Sequence, residues 1–172
     1  AETGAPLTLR VADHPTAEAA LAAALAALAP SGGVDRAVLA LAGPVLGDPV
    51  QLTNANWSVS RAALAARFGF RDVTLVNDFL ALAHALPHLG AGHLRTLGDA
   101  TPDPRAPMLV LGPGTGLGAA AFLPAAHLAI PTEAGHIGLA PADPAGDALV
   151  AALRARCGRA GAEEALSGRG LA

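Results

Sequence analysis

The sequence is poor in the residues that staple, anchor or modify a fold: among 172 residues it has one cysteine, one tryptophan, one methionine and no tyrosine. Cys157 has no partner within the chain, which excludes an internal disulfide framework. A lone thiol of this kind reads as a small buried apolar residue in a reducing compartment such as the cytoplasm. Lysine is absent, and all 11 basic residues are arginine. That absence excludes a Walker A loop, whose lysine must reach the phosphates, and any Schiff-base lysine. Charge is sparse as well, at 15% of residues and a net -3. The arginines are scattered rather than gathered into a stripe, so nucleic acid is not expected as a partner. The longest apolar stretch, residues 19–30, is alanine-rich and short of the about 20 residues a membrane-spanning helix needs, so no membrane partner is expected either. The chain opens at Ala1 without a basic segment, and its methionine is Met108. Nothing there resembles a signal peptide, and the chain reads as a fragment or a processed form.

What is present is an apolar fraction of 52%. A chain of this length can bury roughly 70% of its unfolded surface, enough for one domain or two small lobes. Residues 16–28 have a helical alanine-leucine pattern, opened by Thr16 as N-cap after Pro15 and closed by Pro30-Ser31-Gly32-Gly33. Residues 36–42 read as a buried strand ending in the turn Gly43-Pro44, and residues 50–53 as a short strand followed by a loop. Residues 61–68 form a helix closed by Gly69, and residues 72–76 a second buried strand with Asn77 and Asp78 at its exit. Residues 79–89 are helical in pattern with Pro87 near the end, and residues 90–107 are loop-like. Further on come a strand at 108–111, a glycine loop at 112–118, a returning hairpin strand at 119–123 and a helix at 147–157 closed by Gly158. This run of strands and helices indicates an α/β fold.

Three constellations carry chemical potential. In the loop after residue 111, glycine stands at every second position, as Gly112, Gly114, Gly116 and Gly118, with Thr115 between them. Backbone N–H groups in such a loop can approach an anion closely, so phosphate binding is one reading; a tight hairpin that uses glycine for positive φ is the other. The dinucleotide fingerprint G-x-G-x-x-G fails in either frame, because its last position falls on Leu117 or Ala119. Asn77-Asp78 follows a strand, where a carboxylate could face a ligand crevice and accept a hydroxyl proton. Equally, Asp78 could be the N-cap of a helix beginning at Phe79. In Glu133-Ala134-Gly135-His136 a carboxylate and an imidazole three residues apart could both hydrogen-bond one polyhydroxylated ligand. His84 and His88 have the spacing of a helical metal pair, but Pro87 interrupts the helix, and no metal site is expected there. His14, His93 and His127 read as surface or loop residues.

Taken in order, the blocks are Ala42-Gly43-Pro44-Val45, Leu52-Thr53-Asn54 with Trp57, Val76-Asn77-Asp78-Phe79, Leu86-Pro87-His88-Leu89-Gly90, Leu111 with the glycine loop to Gly118, Glu133-Ala134-Gly135-His136, Leu139-Ala140-Pro141 and Leu166-Ser167-Gly168. This succession resembles the bacterial glucokinase family, of the hexokinase-like, actin-type ATPase (ribonuclease H-like) fold. The resemblance implies two lobes, both incomplete: residues 1–88 as a smaller α/β lobe lacking its first strands, and residues 89–172 as the first part of a larger one. It implies ATP-dependent phosphorylation of glucose at the 6-hydroxyl. In that scheme Asp78 is the general base, and Asn77, Glu133, His136 and Glu163 bind the sugar. Thr53 and Asn54 belong to the sugar loop, and Gly112, Gly114, Thr115, Gly116 and Gly118 bind phosphate. ATP and Mg2+ are the implied cofactors, glucose and a nucleotide the partners, the cytoplasm the location, and a homodimer of the parent protein is allowed.

Two departures stand out. Where the family usually has Glu-Gly-Gly-His this chain has Ala134, which would cost on the order of 1 kcal/mol if that position had positive φ. The family's opening Asp-x-Gly-Gly-Thr-Asn phosphate loop also has no counterpart here, nor do the later adenosine-binding segments, so the isolated chain is expected to be inactive, with apolar surface left uncovered. A non-catalytic sugar-binding or regulatory remnant of the same fold is the alternative. An oxidoreductase with its nucleotide loop at Gly112 is a third reading, disfavoured by the failed fingerprint.

Overall fold

Thr16 stops the chain from continuing as a loop: its hydroxyl accepts the Ala19 N–H at 3.2 Å and opens α1, Ala17–Leu28. In the computed structural model, which describes residues 4–52 and 55–171, α1 ends at Ala29, a non-glycine residue with φ 39°. The helix therefore stops one residue before Pro30, ahead of the glycines. β1, Arg36–Leu41, follows, then the two-residue strands β2, Val50–Gln51, and β3, Ser58–Val59. Next come α2, Arg61–Phe68, closed by Gly69 at φ 72°, and β4, Asp72–Asn77. β1 and β4 pair in parallel from Arg36 opposite Asp72 to Leu41 opposite Asn77, while β2 and β3 form a small antiparallel ladder. β4 buries Val73 and Leu75 and exposes Asp72 and Thr74, the two-residue period of a half-buried strand. Those residues join Leu41, Val50, Val59, Leu64 and Phe70 in one core, with Leu64 and Val59 wholly inaccessible. Trp57 packs against it and donates its indole N–H to the His14 carbonyl at 3.3 Å.

The chain divides into two compact units, one up to Asp78 and the other from Phe79 onward. The boundary falls within the first turn of α3, Asp78–Ala85, whose Ala83 is buried with Ala120, Phe122 and Ala129 in the core of the second unit. α3 also stops at Ala85, and residues 86–88 tighten into a 3-10 turn around Pro87. β5, Met108–Pro113, β6, Leu117–Leu123, and β7, Leu128–Thr132, make an antiparallel meander in the order β5-β6-β7. α4, Pro144–Cys157, is capped by the Asp143 carboxylate on the Gly146 N–H at 2.7 Å and closed by Gly158 at φ 77°. Two short helices end the chain, α5, Ala162–Leu166, and α6, Gly168–Leu171.

Four elements depart from the sequence reading. β3, β7, α5 and α6 were not foreseen: β3 is too short to show alternation, and Pro131 in β7 reads as a strand breaker except on an edge, which is where β7 lies. α5 and α6 are too short for a helical period. Cys157, expected to be buried, is exposed at the last turn of α4. Val38 and Leu109 are 71% exposed and Leu111 64%, so apolar strand residues do face outward.

Candidate active site

In the first unit the parallel β1–β4 pairing brings two strand exits side by side. β1 leads into Gly43, at φ 125°, a backbone conformation open to glycine. Its carbonyl accepts the Asn77 side-chain N–H at 3.1 Å. The same amide nitrogen donates to Asp78 Oδ1 at 3.0 Å, which fixes the orientation of the half-buried carboxylate. Asp78 is the first residue of α3, so the expectation of a helix beginning at Phe79 with Asp78 outside it is corrected. Thr53 and Asn54 lie outside the described residues.

The glycine segment of the second unit is a hairpin. Gly112 pairs with Gly118 and Pro113 with Leu117, leaving residues 114–116 as the turn, closed by the Gly114 N–H on the Gly116 carbonyl at 2.8 Å. None of its four glycines has positive φ, which corrects that explanation of their spacing. Close approach accounts for two of them. A Cβ on Gly112 would stand 2.7 Å from Phe79 Cζ, and one on Gly118 would overlap the same ring. The Phe79 ring therefore packs against both strands at the hairpin base. At the tip the reverse holds: a Cβ on Gly114 would meet nothing within 4 Å, and Thr115 is exposed.

Glu163 and the backbone of Gly135, between the candidates Glu133 and His136, both approach the peptide groups of Leu117. Glu163, on α5, accepts the Leu117 N–H on Oε2 at 3.0 Å and the Arg169 guanidinium on Oε1 at 3.2 Å. Gly135 is buried so close to the Leu117 carbonyl that a Cβ there would collide with it. Ala134, by contrast, takes no positive φ and sits in a 3-10 turn spanning Ala134–His136, so the cost feared at that position does not arise. The turn is held by Thr132, whose hydroxyl donates to the Ala119 carbonyl at 3.0 Å and accepts the Ala134 N–H at 3.2 Å. His136 Nε2 lies 3.8 Å from Glu133 Oε2, and its Nδ1 is 3.5 Å from Arg159 Nη2. Arg159 in turn binds Glu164, whose Oε2 accepts the Gly161 N–H at 2.9 Å. The Arg159 hydrogen bond, helped by the backbone and opposed by burial, holds the Glu164 carboxyl below the usual glutamate range.

Sequence reading missed Phe79, Arg159, Glu164 and Arg169. Only Glu164 left a signal, standing three residues after Gly161 at the start of a helix, the spacing at which its carboxylate can reach back to the Gly161 N–H. Ser167, between α5 and α6, is fully buried, and its hydroxyl has no hydrogen-bond partner among the described residues. His84 packs its ring edge-on to Phe122 at 6.2 Å. Among the described residues no three His, Cys, Asp or Glu side chains are grouped to hold a metal ion, and no helix is long and apolar enough to cross a membrane.

Comparison with known proteins places the whole chain in a family. The family model described as Glucokinase matches residues 2–172. The chain belongs to the glucokinase family. It is 43% identical over 165 residues to a glucokinase of Ralstonia nicotianae, covering 92% of this chain and 48% of that protein. A glucokinase of Cupriavidus pinatubonensis is 41% identical over 177 residues, covering 99% of this chain and 51% of the relative. The chain thus spans about half the length of the curated glucokinases it matches. Among solved structures, a glucokinase from an Antarctic psychrotroph superposes with TM-score 0.82 at 32% identity, over 94% of this chain and 51% of that one. A glucokinase from Balamuthia mandrillaris in complex with glucose gives TM-score 0.61 at 21% identity, over 88% and 48%, a likeness of fold. The α/β, actin-type ATPase fold expected from the motif succession is therefore the fold of this chain.

Proposed function

We propose that this chain is part of a glucokinase that phosphorylates glucose at the 6-hydroxyl, with Asp78 as general base. The observation that carries the reading is the Asn77–Asp78 pair at the end of β4, where a side-chain amide tethered to the Gly43 carbonyl orients a half-buried carboxylate. Phosphoryl transfer asks a protein mainly to position groups and stabilise charge, and a fixed carboxylate meets the first need. In this reading Asp78 takes the proton of the 6-hydroxyl as the oxygen attacks. Asn77 holds Asp78 and reaches the sugar, while Glu133, His136 and Glu163 accept or donate to the other hydroxyls. Thr53 and Asn54 are assigned to the sugar loop.

The open tip of the hairpin is compatible with a phosphate: Gly114 is unobstructed, and the Thr115 hydroxyl is exposed beside it. We assign Gly112, Gly114, Thr115, Gly116 and Gly118 to the nucleotide's terminal phosphates, with Gly112 and Gly118 at the base against Phe79 and the Gly114 and Leu117 N–H groups engaged within the protein. When bound, ATP supplies the phosphoryl group and Mg2+ offsets its charge; magnesium needs only one or two carboxylates beside phosphate oxygens, so the absence of a protein cage among the described residues is consistent with it. We assign the two units to parts of a smaller and a larger lobe, and the protein to the cytoplasm.

Glucose titration by calorimetry tests the sugar site. The protein at its full length should bind glucose, and Glu133→Gln and His136→Ala should each weaken binding by at least about fivefold, the loss of roughly one hydrogen bond to a charged or ring partner. Unchanged affinity in both variants would remove these residues from the site.

A further inference from the structure

We propose that Glu163 is a positioning residue for the glycine hairpin as well as a hydroxyl acceptor, and that Arg169 holds it in that pose. The inference rests on the reading of the hairpin as a phosphate site, but its geometry does not. One carboxylate oxygen of Glu163 receives the Leu117 N–H at 3.0 Å, and Gly116 lacks a side chain where a Cβ would come within 2.5 Å of that oxygen. The other oxygen receives Arg169 at 3.2 Å. The same stretch of chain grips the hairpin a second time, through the Gly168 N–H on the Gly114 carbonyl at 2.8 Å. Both ends of the turn are thus fastened to the α5–α6 segment.

A charge-assisted bond from a backbone N–H is stronger than a neutral one, and the Glu163 side chain is only 14% exposed, so water competes poorly for Leu117. A carboxylate offers about four acceptor sites, so a sugar hydroxyl can be added without breaking either bond. A single side chain then joins the sugar and the phosphate hairpin: whatever moves Glu163 moves the peptide between Gly116 and Leu117. Arg169 is mostly exposed and touches Glu163 rather than the hairpin, so it acts through the carboxylate.

Amide hydrogen exchange on the 172-residue chain reads the strut directly. Glu163→Ala should accelerate exchange at Leu117 at least about tenfold, the loss of one charge-assisted bond, while the Ala120 amide in mid-strand stays as in the parent. Glu163→Gln keeps an oxygen that can accept the Leu117 N–H, so it should preserve most of the protection, and Arg169→Ala should fall between. Equal Leu117 protection in the parent and Glu163→Ala, with Ala120 unchanged, would overturn the proposal, as would loss of protection at both amides, which marks general loosening. Glucose added to the protein at its full length should slow Leu117 exchange further. Should the full-length protein bind no glucose, the sugar assignment fails while the comparison of variants still decides the strut.

Discussion

Replacing Gly118 by alanine places a methyl group inside the Phe79 ring, and the structure supplies both the size and the remedy. The Cβ of residue 118 would overlap the ring from β6, and a Cβ on Gly112 would stand 2.7 Å from Cζ on β5, so the ring cannot slide away from one strand without meeting the other. Overpacking of this kind costs about 1–3 kcal/mol. For a unit of this size each kcal/mol is worth roughly 4–8 °C of melting temperature. Thermal unfolding followed by circular dichroism should therefore show Gly118→Ala melting well below the parent. Phe79→Leu removes the obstructing ring edge, so in the double variant the alanine should cost less than about 0.5 kcal/mol beyond Phe79→Leu alone, a coupling of the size expected for residues in direct contact. Gly114→Ala is the control, since it meets nothing within 4 Å and has no positive φ. It should leave stability unchanged or slightly raised, because alanine narrows the unfolded ensemble. Equal losses at 114 and 118, or additive costs for 79 and 118, would refute close packing as the reason for the glycine spacing.

Other consequences follow from the same geometry. Leu64→Ala empties a fully buried position in the first unit and should destabilise that unit by about 2–5 kcal/mol in urea unfolding; a loss under about 1 kcal/mol would mean the core is not packed as described. At the Glu133–His136 turn the order of sensitivity is expected to be lopsided: Ala134→Gly should lose no more than about 1 kcal/mol, whereas Gly135→Ala drives a methyl into the Leu117 carbonyl and should lose more. Stabilisation by Ala134→Gly would contradict the observed backbone. Glu164, with its carboxyl lowered mainly by Arg159, contributes stability above the ordinary glutamate value of 4.5 and loses it as pH falls through the lowered value. The melting-temperature gap between the parent and Glu164→Gln should hold from neutral pH down to about 4.5, narrow between there and the lowered value, and be gone below it; a gap that widens in acid would reverse the sign of the interaction.

How much of this was legible in the sequence depended on the length of the signal. α1, α2, β1 and β4 each carry either a cap or a run of at least six periodic residues, and their ends were visible in Thr16, Gly69 and the turn at Gly43. β3 carries neither, and its pairing with β2 makes it; α5 is too short for a helical period, and its local mark is Glu164 three residues after Gly161. For the candidate site, residue types and motif order single out Asp78, Glu133, His136 and Glu163, whose assignment is a proposal, because chemistry is written in side chains. The Asn77 tether to Gly43 and the Glu163 bond to Leu117 could not be read, since both join a side chain to backbone far along the chain. The glycine spacing was legible as a feature, yet its cause was not: positive φ and close approach leave the same letters, and only Phe79 distinguishes them.

Asp78 is proposed to accept the proton of a glucose hydroxyl during phosphoryl transfer. A coupled assay for glucose 6-phosphate on the full-length protein, beside its Asp78→Asn variant, tests it most directly. ATP-dependent product is expected in the parent and a kcat at least about a hundredfold lower in the variant, the contribution of a positioned base, with glucose affinity by calorimetry largely kept. A variant that turns over at near the parental rate, or a parent that makes no glucose 6-phosphate, would contradict it.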